Sequence, residues 1–412
     1  MQRSINLGVI GLGNRGASLV KIFREVHPGF KLAVVADPDE QGVRGRLDER
    51  GIGSDGTRYV ADVEAMLAHT SGLDAILVGS RCDMHTLIAI KVAATGLPLY
   101  LEKPVSVSSE QLAALRDAYR GREGSVVVSF GLRATPLFQK FLDVVRSGRL
   151  GAINQLQAIN NVPYGGVYYH RFYREHEISG GLWLQKATHD FDYINAVLGR
   201  PDMITAMMTR KVYGGDMPHD LWCSSCDRAG TCPESPQGVA RRGDDGGMGT
   251  VDHLCAFGDG IKNQDAGSAL IMYEGGVHAS YTQNFVSRRS AATRGAIVTG
   301  YEATVSFDLF TGKVRVIEHH NDRVDDIEVK VAGGHHGGDH VLARNFVDVC
   351  MGRAESRSDL NDGLLSAAMC LAARESAHRQ TWLPIPDVLS DDFPNTSEPA
   401  YTTPADLEPI AP

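Results

Sequence analysis

No run in this 412-residue sequence approaches the ~18 consecutive apolar residues that span a bilayer. The N-terminus carries one arginine ahead of a short β-like run, without the long apolar segment and small-residue cleavage site of a secretory leader. A cytoplasmic protein is therefore expected. Excess positive charge is also missing. The 41 basic and 50 acidic residues leave −9 with histidine neutral, which disfavours nucleic acid or an anionic membrane as main partner. Cysteine is sparse, seven in all, so no small disulfide scaffold is encoded. The 43% hydrophobic and 22% charged residues exclude a disordered chain, and the length suggests two or three domains. What is abundant is glycine: 45 residues, roughly 11% against a usual ~7%. This points to a loop-rich, enzyme-like fold with close backbone approaches.

Residues 5–130 read as short apolar strands alternating with helical patterns, which implies a parallel sheet covered on both faces. Ile5–Ile10 runs into Gly11-Leu12-Gly13-Asn14-Arg15-Gly16 and then a helical pattern to about Val26. Further strands are expected at Lys31–Ala36, Asp74–Val78, Leu99–Leu101 and Val126–Ser129, and Ser108 with Gln111 reads as a capping box. A GxGxxG between a first strand and a first helix lets backbone N–H groups approach a pyrophosphate. Asp37, 21 residues after Gly16, is placed to accept both ribose hydroxyls of an adenosine. Its charge would repel a 2′-phosphate, which favours NAD over NADP, although Arg44 and Arg46 lie nearby. A structural turn with a capping aspartate is the alternative.

Glu102-Lys103-Pro104 follows the expected strand Leu99–Leu101. With the glycine motif it resembles the glucose–fructose oxidoreductase/inositol dehydrogenase (Gfo/Idh/MocA) family. Asp83-Met84-His85, Phe130-Gly131-Leu132-Arg133 and Gly180-Gly181 through His189-Asp190 to Leu198-Gly199 extend the resemblance over roughly residues 5–385. It implies a Rossmann-type domain over 1–132, followed over 133–383 by an α+β domain with a large, mainly antiparallel sheet. It also implies an NAD cofactor and a dimer or tetramer. Gly11, Gly13, Asn14, Arg15, Gly16, Asp37, Ser80, His85, Glu102 and Lys103 are the expected cofactor-binding residues.

Lys103 stands where parallel-sheet ligand sites lie, beyond a strand's carboxyl end, and Pro104 keeps it out of the α-region. Its ammonium can hold a substrate hydroxyl or, if its pKa is lowered, accept the proton. A surface lysine paired with Glu102 is the plain alternative. In the expected helix Leu182–Leu198, Ala187, Phe191, Ile194 and Leu198 form a core stripe, with Gln185, Lys186, His189, Asp192 and Tyr193 opposite. On resemblance His189 is the catalytic or substrate-orienting histidine. Many relatives carry Asp four residues before it; here Gln185 stands there and cannot be a base. Proton abstraction then passes to His189 or Lys103, with Lys186 as an electrostatic aid.

Cys223, Cys226, Cys232 and Cys255 cluster in a Gly-, Pro- and Asp-rich insertion, 219–260, too poor in apolar residues for a core of its own. Four thiolates around a structural zinc would hold it, and one branch of the family looks similar. A redox pair, a disulfide-closed loop, or His219 or His253 replacing one thiolate stay open. Seven acids against three bases in this segment oppose a nucleic-acid zinc ribbon. Asp339, in His335-His336-Gly337-Gly338-Asp339-His340, is expected to cap the following helix rather than to bind a second metal. Residues 384–412, with seven prolines, six acids and no base among their last 29 positions, read as an extended tail.

The leading functional expectation is an NAD-dependent oxidoreductase acting on a secondary alcohol of a sugar, glycoside or cyclitol. An NAD-dependent glycosidase working by transient oxidation and elimination is the first alternative. A non-catalytic NAD-binding regulator is the second.

Overall fold

The computed structural model describes residues 3–243, 249–330 and 334–390. Contacts divide these into two units: 3–136 with 334–368 and 387–390, and 137–330 with 369–386. The expected tail beyond 390 lies outside the described residues.

The first unit holds six parallel strands: β1 (Ile5–Ile10), β2 (Phe30–Ala36), β3 (Arg58–Val60), β4 (Ala75–Val78), β5 (Leu99–Leu101) and β6 (Val126–Val128). Their order, β3-β2-β1-β4-β5-β6, is that of a dinucleotide-binding sheet. β4, β5 and β6 are buried at every position, as strands covered on both faces should be. Ser108 does cap the helix Ser109–Ala118, accepting from Gln111 N at 3.4 Å; the Gln111 side chain reaches one residue further back, to Val107 N.

One boundary differs from the sequence reading. Residues 334–368 belong with the first unit, not with the α+β domain. The cause is packing: helix Gly338–Cys350 lies on helix Asn14–Val26, and Phe346 sits 5.5 Å from Phe23 and 5.4 Å from Tyr100, ring to ring.

The second unit is built on nine strands: β7 (Ile153–Asn161), β8 (Pro201–Thr209), β9 (Ala266–Tyr273), β10 (His278–Asn284), β11 (Thr293–Gly300), β12 (Ala303–Asp308), β13 (Lys313–Glu318), β14 (Val324–Glu328) and β15 (Leu383–Pro384). Their order is β14-β13-β12-β11-β7-β10-β9-β8-β15, antiparallel except for β7 against β10. Phe138 and Phe141 of helix Pro136–Arg146 and Tyr193 of helix Thr188–Leu198 meet Phe307 of β12, which puts both helices on one face. The other face keeps apolar residues in the open: Met207 is 76% exposed, and Leu270, Met272 and Ile297 are also exposed.

Candidate functional site

At the carboxyl edge of the first sheet, Gly11 has φ +76°, and a Cβ on it would lie 2.7 Å from Ser80 N. Only glycine makes this turn. Helix Asn14–Val26 starts on Gly13, which has no side chain to cap the first-turn N–H groups, so an anion can take that place. Asp37, at the tip of β2, accepts from Leu12 N and Asp39 N, each at 2.9 Å, which ties this carboxylate to the glycine loop. Arg44 is engaged with Glu40 and stacks 4.0 Å over the Tyr59 ring, while Arg46 donates to Leu12 O. Both flanking arginines thus have local work.

Three expected cofactor residues also brace this edge of the sheet. Arg15 donates to Glu102 Oε1 at 2.9 Å, to both Asp339 oxygens at 2.7 and 2.8 Å, and to Ser129 Oγ at 3.0 Å. Burial alone would raise the Glu102 and Asp339 carboxyls; the Arg15 guanidinium outweighs it and holds Asp339 well below the usual carboxylate range. Asp339 therefore does not cap its helix, whose N-cap is Gly337; it pairs with Arg15 and with His335 Nδ1 at 3.0 Å. His85 is 1% exposed, its ring nitrogens 2.7 Å from Pro104 O and 3.1 Å from Ser80 O, and burial lowers its pKa. It joins the Ser80 loop to the segment after β5. There a cis bond links Lys103 to Pro104, and half-buried Lys103 donates its backbone N–H to Glu102 Oε2 at 3.3 Å. Asn14 Oδ1 accepts from Arg50 at 3.1 Å.

In the second unit the expected helix 182–198 opens with a π turn, Trp183–Ala187, and continues as α-helix Thr188–Leu198. No polar face emerges: Gly180 through Ile194 are all buried. The extra residue in the π turn breaks the 3.6-residue periodicity on which that division of faces rests. His189 is 3% exposed and Lys186 4%. Gln185 Nε2 donates to Ser179 O.

The residue beside His189 organises the region. Asp190, fully buried, accepts from Arg294 Nε, Asn160 Nδ2 and Tyr281 OH, each at 2.8 Å, and thereby receives bonds from β11, β7 and β10. Burial would lower the Arg294 pKa, but Asp190 outweighs it and raises it. Sequence reasoning missed this hub; an acid inside an apolar helical stripe was the available signal.

The cysteine insertion folds through short turns. Trp222 pairs with Leu254 as an antiparallel bridge, Cys223 N donates to His253 O, and Cys255 N donates to Leu221 O. All seven cysteines of the chain are free thiols. Burial, then Cys255 and Cys232, push the Cys223 thiol up to about 12, so these thiols feel one another's charge. Among the described residues no group of three or more His, Cys, Asp or Glu side chains is arranged to hold a metal ion. His219 is committed elsewhere: Nδ1 lies 2.8 Å from Asp259 O and Nε2 3.2 Å from Glu175 Oε1. His253 Nδ1 lies 3.6 Å from Cys223 Sγ.

A glycine loop, an aspartate at the tip of β2 and an Arg-locked Glu-Lys-Pro turn on a six-stranded parallel sheet are features of the dinucleotide-dependent oxidoreductase class. Residues 5–130 match the family described as "Oxidoreductase family, NAD-binding Rossmann fold", and residues 138–306 match the "GFO/IDH/MocA C-terminal domain". The chain belongs to the GFO/IDH/MocA family of NAD-binding oxidoreductases. It is 26% identical over 340 residues to YteT of Bacillus subtilis (strain 168), covering 74% of this chain and 79% of that one. It is 25% identical over 209 residues to scyllo-inositol 2-dehydrogenase (NAD(+)) of the same organism, covering 48% of this chain and 55% of that enzyme. The chain thus spans about half the length of that inositol dehydrogenase. In fold it is similar to levoglucosan dehydrogenase in complex with NADH and levoglucosan, with TM-score 0.75, 15% identity, and coverage of 93% of this chain and 100% of that one. No helix among the described residues is long and apolar enough to cross a membrane.

Proposed function

We propose that this enzyme oxidises a secondary alcohol of a cyclitol or sugar-like ring, the carbinol hydrogen leaving as hydride. NAD, when bound, supplies the hydride acceptor. The glycine loop and the start of helix Asn14–Val26 would hold the pyrophosphate, and Asp37 the adenosine ribose. Lys103 and His189 hold the hydroxyl that loses its proton, and Lys186 adds positive charge beside His189. The observation that carries this reading is the Arg15–Glu102–Asp339 lock, because it spends charged groups on fixing the turn that bears Lys103. Relatives named for inositol and levoglucosan support a polyhydroxylated ring as substrate.

The test is a panel of inositols, anhydrosugars and glycosides with NAD, read by absorbance of the reduced cofactor. Reduction with a ring polyol supports the proposal; hydrolysis of a glycoside without net reduction overturns it in favour of transient oxidation. Asp37→Ala is expected to weaken NAD binding about tenfold or more, the loss of a charge-assisted bond worth ~1.5–3 kcal/mol, and to narrow the preference over NADP. Titration calorimetry with both dinucleotides checks this; equal affinities before and after the change would refute it.

A structural zinc held by Cys223, Cys226, Cys232 and Cys255 fits the mutual influence of these thiols. A zinc ion would offset the burial and the neighbouring charge that oppose ionisation of Cys223 and Cys255, and the insertion would gain the anchor its composition denies it. About one zinc per chain is expected by elemental analysis, lost when Cys223 and Cys226 become Ser. Metal-free protein after purification without chelators would refute it. The exposed Met207, Leu270 and Met272 face supports association of copies through the second sheet.

A further inference from the structure

Lys186 lies on the π turn with its Nζ donating to the phenol oxygen of Tyr164 at 2.9 Å. The same ammonium is 4.9 Å from the Tyr164 ring centroid and 5.5 Å from that of Tyr168. Burial lowers the Lys186 pKa, and Tyr164 acts in the opposite direction. Arg294 of β11 acts electrostatically on both. Tyr164 is only half-buried. It borders a small cavity with room for one water molecule, walled also by Gly166, His170, Glu234, Arg242 and Arg288.

We propose that Tyr164, backed by the Lys186 ammonium, is the catalytic base that accepts the substrate hydroxyl proton, while Lys103 and His189 hold that hydroxyl. The inference rests on the dehydrogenase reading above and assigns the base that Gln185 cannot be. Three observations carry it. The Tyr164 phenol oxygen accepts a hydrogen bond from a buried ammonium, the arrangement that supports a phenol acting as a proton acceptor. Lys186, near the end of the π turn, and His189, at the start of the α-helix, belong to one continuous buried segment, so the side chain that bonds Tyr164 comes from the same stretch as the one expected to touch the hydroxyl. The cavity that Tyr164 borders has room for a water that could take the proton on.

In the step itself, the alcohol O–H bond breaks and its proton forms a new O–H bond on the Tyr164 oxygen. The oxygen's electron pair becomes the second bond of the carbonyl. The C–H electron pair leaves as the hydride for which NAD is the acceptor, so the alcohol carbon is oxidised by two electrons. Tyr164 then passes the proton to water at the cavity. Lys186 acts through Tyr164 and is a positioning residue. The charged and titratable groups facing the phenol are Lys186 from the π turn, Arg294 from β11, Tyr168 and His170 from its own segment, and Glu234, Arg242 and Arg288 across the cavity.

The experiment compares Tyr164→Phe, Lys186→Met and Lys103→Met in the full chain. Tyr164→Phe is expected to lower kcat by about 10²-fold or more, with KM little changed and the acid limb of the pH profile lost. Independently of turnover, ultraviolet difference titration of the cofactor-free protein should lose its first-forming tyrosinate in Tyr164→Phe and see it form at higher pH in Lys186→Met. Tyr164→Phe with kcat within about threefold of the unaltered enzyme, while Lys103→Met is inactive, overturns the proposal and leaves the dehydrogenase standing. Absence of turnover in the unaltered enzyme on every alcohol overturns the dehydrogenase reading, and the titration then decides the Lys186–Tyr164 pair alone. An identical titration in Tyr164→Phe overturns the pair.

Discussion

Lys103→Met is expected to lower kcat about 10²–10⁴-fold, the range general acid–base and positioning groups contribute, while NADH affinity stays near that of the unaltered protein. The reason is a division of labour within three residues. Glu102 is 7% exposed and committed to Arg15 and Ser129, so it belongs to the scaffold, and Pro104 is gripped through its carbonyl by His85. Lys103 stands between two anchored neighbours. Its removal should leave the Arg15–Glu102–Asp339 lock and the dinucleotide cradle intact. Steady-state kinetics with NADH fluorescence titration separate the two effects. Unchanged turnover would dismiss Lys103 from the chemistry, and lost NADH binding would make it a cofactor residue.

Asp190→Ala is expected to destabilise the second unit by about 3–5 kcal/mol, the cost of leaving a buried charge without its partner. The stranded group is the Arg294 guanidinium, and Asn160 and Tyr281 lose an acceptor at the same time. Against a typical total of roughly 5–15 kcal/mol, such a loss is large. Asp190→Asn keeps the shape and two of the three bonds, so it should cost less. Because Asp190 adjoins His189, both variants should also lose turnover. Urea unfolding of the cofactor-free protein gives the measurement, and an unmoved midpoint for Asp190→Ala would show that the hub does not hold the sheet to the helix.

The first sheet was legible because its signals are local. A glycine that must turn at positive φ, an acid at a strand tip and a lysine before proline each show in a few consecutive residues. In the second sheet, apolar alternation is clean in β9 and β12. In β11, Gly295 and Gly300 dilute it; a Cβ on Gly295 would sit 1.9 Å from Phe307 O, so tight strand packing removes the side-chain signal there. The edge strand β3, three residues long, left too little pattern to read. At the site, Asp37 and the glycine loop stand where expected. Asp339 was misread as a helix cap because its partner lies far along the chain: it meets Arg15 across 324 positions. The phenol of Tyr164 was one aromatic among many until the structure set a buried ammonium against it.

That long-range pairing bears on synthesis. Asp339 and Phe346 complete the nucleotide edge and its aromatic core, yet they leave the ribosome more than 200 residues after β6. A nascent chain holding only the amino-terminal strands lacks one of the two carboxylates paired with Arg15 and the Phe346 ring that packs on Phe23. The cradle for the dinucleotide therefore closes late in translation, and a contiguous amino-terminal fragment would need the 334–368 segment supplied in trans.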